Sequence, residues 1–515
     1  MIADATLSPS PASPVIDARK ARRRQWLMVL AIILSSVPTA FVVLAFPVAN
    51  WLVNADWREF RAEWEAKGEV FTVEALADTE VADPAANFAK APIIEEIYLH
   101  DASRREASLS ADHEGHAHPG EPDSPATASK PLRLETLDLF AADTLRQPSP
   151  KPPLAYLSGQ PVPLAAYLAS SDASASAGAA QRIVETFVPH EATVDELLSA
   201  AERPEAWFAA LRSIPHARPQ AHMTALVNAL HALRLRNLAL IEAEAEPAAI
   251  GRSLASTLRL IRHGTDCPGM PALTIRTLAL ESAGLEPVWQ ALYRRRLDDA
   301  AWQQIDAELA SDAFGSRLLP TLRYERAVLV GQVEKLYQSR RAQPFSAPPA
   351  WVQLADLREY AALTQRYWFT SPGGSGALAE RPRIDQLELV EGLVADLPAN
   401  QTNSIVAAGL LPVAEFARHA QRIEISRDHA RVAIALERHR LAEGRYPDTL
   451  SALVPRWLPE LPANAETGHP PRYEAHPEGN GYRLRDLGTE GAGDGPEWLM
   501  PPPVVTAPPP VGQPS

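Results

Sequence analysis

An uncharged run of 31 residues, Gln25 to Ala55, constrains this chain more than any other feature. Its inner part, Trp26 to Phe46, is almost wholly apolar, and about 20 such residues span a bilayer core as a helix. Arg19, Lys20, Arg22, Arg23 and Arg24 stand just before the run, and Asp56 is the first charge after it. Positive charge is retained on the cytoplasmic side of a membrane. The expectation is a basic cytoplasmic tail over 1–25, a transmembrane anchor over 26–53 and everything later outside. Trp26 and Trp51 flank the run where interfacial aromatics are favoured, and Pro38 would kink the helix without preventing insertion. A cleaved signal peptide ending near Ala45 is the competing reading. The apolar region of such a peptide is only about 7–15 residues, shorter than this run.

Charge and composition narrow the rest. The first 25 residues carry five basic and two acidic side chains, +3, which leaves −17 of the formal −14 for the remainder. An acidic body of this kind does not bind nucleic acid in bulk, which needs clustered positive charge. A single cysteine, Cys267, excludes an intramolecular disulfide and any multi-cysteine metal centre. Proline is abundant, 48 of 515 residues, nearly twice the usual share of about 5%. That excess predicts proline-rich connections between folded pieces.

After the anchor, a membrane-proximal segment covers 54–100. Trp57, Phe60 and Trp64 stand at i, i+3 and i+7, one face of a helix that Gly68 can end. Residues 101–180, rich in His, Pro and Ser, read as a mostly flexible linker. A helical domain follows over 181–345. Met223, Leu226, Val227 and Leu230 keep the i, i+3, i+4, i+7 spacing. Glu246 and Pro247 open a further helix through Ile250, Leu254, Leu258 and Ile261, with a break from Gly264 to Pro271, and others are expected over 271–295, 298–311 and 316–338. Short connections between them predict stacked antiparallel hairpins, solenoid-like or a bundle. A helical continuation with loops covers 346–412.

Over 413–495 the pattern becomes a long helix, 413–443, with Gly444 suited to a left-handed cap and Pro447 barring continuation. Asp448 would cap a short helix from Thr449 to Val454. Two stretches with strand character, 471–475 and 481–486, surround Asn480-Gly481 and read as a hairpin. Residues 496–515 read as a disordered proline-rich tail. The fold class is thus mostly α, with a transmembrane helix at one end and a small helix plus β-hairpin module at the other.

The stretch Ala435 to Val454, with Gly444, Arg445, Tyr446 and Pro447 after a helix and a Gly481-Tyr482 hairpin beyond, resembles the globular end of type II secretion major pseudopilins. The chain as a whole resembles a loose group of uncharacterised, single-pass, membrane-anchored bacterial proteins. These share Lys67, Gly68 and Glu69 followed by Asp83 and Asn87 after the anchor. The resemblance implies a bacterial inner membrane with the body extracytoplasmic. A pseudopilin has a glycine-containing processing site directly before its apolar helix, whereas here Arg24 and Gln25 stand there. Polymerisation through that helix is therefore not expected.

Chemistry-bearing motifs are sparse. Arg262, His263 and Gly264 resemble the Arg-His-Gly signature of histidine phosphatases, in which the histidine is the phosphoryl nucleophile. Here they end an amphipathic helix, where that signature needs a buried strand. His113, His116 and His118 form an imidazole cluster able to hold a transition metal weakly, within a segment offering no second shell. Asp486, Glu490, Asp494 and Glu497 in a glycine-rich loop are calcium candidates, the first three foremost, as related pseudopilin loops bind calcium, but their spacing is no EF-hand. No cofactor motif is present. His222 and His231 fall on different helix faces, so they form no metal pair. The chain reads as non-enzymatic: a membrane-anchored interaction or scaffold module whose partners are lipid, through the anchor, and another envelope protein. The alternatives are an accessory component of a secretion or pilus-like system and an undetected hydrolase or phosphatase.

Overall fold

The computed structural model describes residues 26, 28, 45–76, 81–97, 133–139, 145, 164–168, 178–208, 220–311, 317–341, 349–371, 378–379, 386, 389, 392, 413–464, 468–476, 481–485 and 497–500. They are mostly helical, with a small antiparallel three-stranded sheet near the C-terminus. Two compact units emerge. The first comprises Met1–Glu69, Leu329–Thr364 and Leu397–Gly409; the second comprises Val70–Val328, Gln365–Asp396 and Leu410–Ser515.

One expectation is corrected at once. Among the described residues no helix is long and apolar enough to cross a membrane. The transmembrane, single-pass reading is therefore not upheld. Of the apolar run only Trp26, Met28 and the residues from Ala45 onward are described. The helix over 45–66, α1, carries Asp56, Arg58, Glu59, Arg61, Glu63 and Glu65 in its second half, a charge density that a bilayer core does not accept.

In the first unit, α1 lies with the C-terminal part of a long helix, α9 (Leu318–Arg340), and with most of α10 (Ala350–Tyr367). The i, i+3 pair Trp57 and Phe60 is buried, as its spacing predicts, and Trp64 is half-buried. Gly68 ends the turn after α1 with φ +91°, a conformation that glycine adopts without a Cβ penalty.

The second unit is built on α4 (Gln220–Glu242), against which α2 (Ala179–Phe187), α5 (Pro247–Gly264) and α7 (Glu286–Arg294) pack. Leu226, Leu230, Leu233, Leu238 and Ile241 of α4 are all buried. A closed polar zipper fixes α4 on α5. Asn237 Nδ2 donates to Thr257 Oγ1 at 3.1 Å, and the Ser253 hydroxyl donates to Asn237 Oδ1 at 2.6 Å. Buried polar groups of this kind are costly unless paired, and here each finds a partner.

The expected helix over 271–295 is three consecutive helical pieces. α6 (Met270–Ala279) runs into a π turn at Leu280–Leu285 and then into α7. Pro287 has no N–H to continue the ladder, and the wider turn directly before it is where the hydrogen bonding changes register. α8 (Asp299–Ser311) packs along α5, and α11 (Val413–Glu443) packs on α8. Arg431 Nε to Asp306 Oδ1 at 3.0 Å and Arg438 Nε to Asp299 Oδ1 at 2.7 Å tie those last two helices. α3 (Glu191–Ala201) covers α5 from another side.

Two segments depart from expectation. Within the stretch read as linker, the 3-10 turns Arg133–Leu137 and Leu164–Tyr167 place Leu134, Leu137, Leu164 and Tyr167 in the core, along with Leu139 and Leu145. Within the stretch read as tail, Glu497–Met500 forms a third strand, β3. It pairs antiparallel with β2 (Tyr482–Arg485), which pairs with β1 (Arg472–Ala475) in the expected hairpin. Side chains alternate as a half-buried sheet requires, Tyr482 and Leu484 inward and Arg483 outward. Trp498 of β3 packs on Trp289 of α7 with ring centroids 3.8 Å apart. The sheet is thus part of the helical core.

The turn after α11 follows the sequence closely. Gly444 has φ +78°, and the following short helix is a 3-10 turn, Leu450–Leu453, with Thr449 extended before it. Thr449 thus takes the cap position expected of Asp448.

Candidate functional site

The first unit holds a groove of about 630 Å³. One wall is α1, with Asn54, Trp57, Arg58, Arg61 and Glu65; the other is α9, with Gly331, Glu334, Lys335 and Gln338. On α9 these residues stand at i, i+3, i+4 and i+7, so one helix face presents them together.

A buried-edge network stiffens the groove. The Trp57 indole N–H donates to Glu334 Oε1 at 2.7 Å. Arg61 Nη1 donates to both Glu334 oxygens, at 3.0 and 3.3 Å, and Arg61 Nε donates to Glu65 Oε1 at 2.7 Å. Burial works to lower the Arg61 pKa, but the hydrogen bonds and fields of Glu65 and Glu334 outweigh it and hold the guanidinium above its ordinary value. Behind Trp57, Phe60 stacks on it at 6.1 Å, and the Arg358 guanidinium lies 4.3 Å from the Phe60 ring centre. Tyr337 donates its hydroxyl to the Asn50 carbonyl at 3.2 Å. Burial pushes that hydroxyl's pKa up, against the fields of Arg341 and Arg58.

Two groove cations are placed differently. Arg58 is exposed and donates from Nε only to the Asn54 carbonyl, at 3.3 Å. Lys335 is exposed on the opposite wall. Neither meets a carboxylate among the described residues.

The second unit holds a chain of rings around the Arg-His-Gly motif. His263 is buried and stacks on Phe88 at 5.9 Å; Phe88 meets Phe208 edge-on at 6.1 Å; Phe208 stacks on His222 at 4.8 Å. His222 Nε2 lies 3.8 Å from Cys267 Sγ. Burial, aided by the nearby Arg262 charge, pushes His263 down to about 4, and burial likewise takes His222 to about 4. The motif sits in the last turn of α5, as its apolar period predicts. Arg262 reaches Glu308 Oε2 at 2.9 Å and Ser311 on α8. An arginine held this way stitches two helices together, and the His263 imidazole is buried against Phe88.

His113, His116 and His118 lie outside the described residues, as do Asp486, Glu490 and Asp494. Among the described residues no group of three or more His, Cys, Asp or Glu could hold a metal ion. Sequence reasoning identified the Trp57 face but missed the opposite wall, since Glu334 lies 277 residues from Trp57. The only available signal was the polar stripe Gly331, Glu334, Lys335 and Gln338 on a helix with an otherwise apolar core face. No family model, curated protein or solved structure matches the chain.

Proposed function

We propose that the chain is a non-enzymatic protein-interaction module whose partner docks in the groove between α1 and α9. The observation that carries this reading is the groove itself. It is an open cleft between two helices, floored by the buried Trp57, which the Trp57–Glu334–Arg61 network pins, with exposed polar groups at its rim. A partly exposed arginine held in place as Arg61 is suits an interface, because little side-chain entropy is left to lose on binding.

An accessory role beside a secretion or pilus-like machine ranks second. The long helix, the Gly444 turn and the antiparallel strands fit the resemblance of that region to pseudopilins. The burial of Trp498 on Trp289 argues that the region serves the core.

A photo-crosslinking residue at Gln338, on the groove, compared with one at Arg252, exposed on α5, tests the main reading. Discrete adducts at 338 and none at 252 are expected in cells expressing the full-length chain. Equal adducts at both positions, or none at 338, would remove the groove from consideration.

A further inference from the structure

We propose that the groove accepts an acidic polypeptide segment of the partner, whose carboxylates meet Arg58 and Lys335. This rests on the interaction reading above and adds the chemistry of what is bound. Three observations point the same way.

The first is how charge is distributed around the groove. Glu334 and Glu65 are both engaged by Arg61, and Glu334 also accepts the Trp57 N–H. Their charge is met within the groove. Arg58 and Lys335 face the same cavity from opposite walls with no carboxylate to meet them among the described residues. The charged side chains that line the cavity are Arg58, Arg61 and Lys335 against Glu65 and Glu334, three positive and two negative. In a chain of net charge −14 this local excess of one positive charge, carried by the unengaged Arg58 and Lys335, favours an acidic partner.

The second is shape. A Cβ placed on Gly331 would meet nothing within 4 Å. The α9 wall is therefore open to close approach at that point, directly before Glu334 and Lys335. An open-sided groove running between two helices suits an extended or helical peptide, which lays one face into it.

The third separates polypeptide from lipid. Asp56, Glu59, Glu63 and Glu65 are exposed on the same helix that carries Arg58. An anionic bilayer surface would meet these carboxylates over a broad area. A narrow acidic segment reaching only the groove would not.

The test uses the full-length chain and a fluorescein-labelled peptide with Leu at helical i, i+3, i+4 spacing and Glu elsewhere. Its counterpart has Lys in place of Glu. The Glu peptide is expected to raise the anisotropy, with affinity falling as salt is added, and the Lys peptide to leave it unchanged. The double variant Arg58→Glu/Lys335→Glu should weaken the Glu peptide about tenfold or more while the melting temperature stays the same. If that variant does not fold, Arg58→Gln/Lys335→Gln takes its place with a smaller loss in the same direction. Equal binding of both peptides, undiminished binding by the variants, no binding of the Glu peptide, or binding only to phosphatidylglycerol vesicles would each overturn the proposal. An adduct at Gln338 whose crosslinked partner peptide is basic would overturn it too, while leaving the interaction reading in place.

Discussion

Two glycines in helix interiors mark the difference between the two units. At Gly251 on α5, an added Cβ would lie 2.5 Å from Ala301 Cβ and 3.1 Å from Ala301 Cα on α8. At Gly331 on α9, it would meet nothing within 4 Å. The second unit has used its glycine to bring two backbones together and leaves no space. The first unit has left its glycine facing an open groove. Charge follows the same division. Arg259 and Arg262 reach Glu308, and Arg431 and Arg438 reach aspartates on the neighbouring helix, whereas Arg58 and Lys335 remain turned to the groove. A close-packed interior gives stability; an incompletely satisfied face is where binding energy can still be gained.

That contrast can be broken most severely at the sheet. Trp498→Ala removes a buried ring packed at a tilt against Trp289 and should cost about 3–5 kcal/mol, read as a lower denaturation midpoint. A loss below about 1 kcal/mol would mean the sheet is an appendage, outside the core.

Acid should separate the units next. Among the described residues every histidine falls in the second unit and none in the first. Burial holds His222, His263 and His429 down to about 4. The unfolded chain takes up protons on these rings as pH falls through about 6.5, while the native state resists until about 4. The stability they support is therefore full above about pH 6.5 and is lost progressively down to about pH 4. Each unit of depression is worth about 1.4 kcal/mol. His429→Leu should flatten the acid limb of a stability–pH profile, and an unchanged limb would show that His429 is not buried as described.

The glycines give the smaller effects, with opposite signs. Gly251→Ala should destabilise by about 1–3 kcal/mol through overpacking against the Ala301 backbone. Gly331→Ala should stabilise by about 0.5–1 kcal/mol, the usual gain for alanine over glycine in a helix interior. Thermal melts of both variants check this pair. The same sign for both would erase the distinction between the closed and open helix pairs.

What was legible in the sequence followed from local rules. The 3.6 period, Pro247 at a helix start and Gly444 at a helix end placed α5 and α11. Alternation around Asn480 placed the hairpin. What escaped lacked any period. Leu134, Leu137, Leu164 and Tyr167 enter the core from short 3-10 turns in a proline-rich stretch, where only tertiary contact reveals them. β3 is four residues long and precedes a run of prolines, so Trp498 read as part of a tail. The groove was half visible. The face of Trp57, Phe60 and Trp64 announced the helix that supplies one wall, of which Trp57 lines the groove, while the other wall depends on a contact across 277 residues that no local pattern encodes. The transmembrane reading came from the length of the uncharged run and the charges and tryptophans flanking it, and among the described residues no helix of the required length and apolarity supports it.

The most direct measurement is the crosslinked adduct at Gln338 in the full-length chain, compared with and without Arg58→Glu/Lys335→Glu. The account predicts a discrete adduct that disappears with the charge reversal while the melting temperature holds. An adduct that persists unchanged would contradict it.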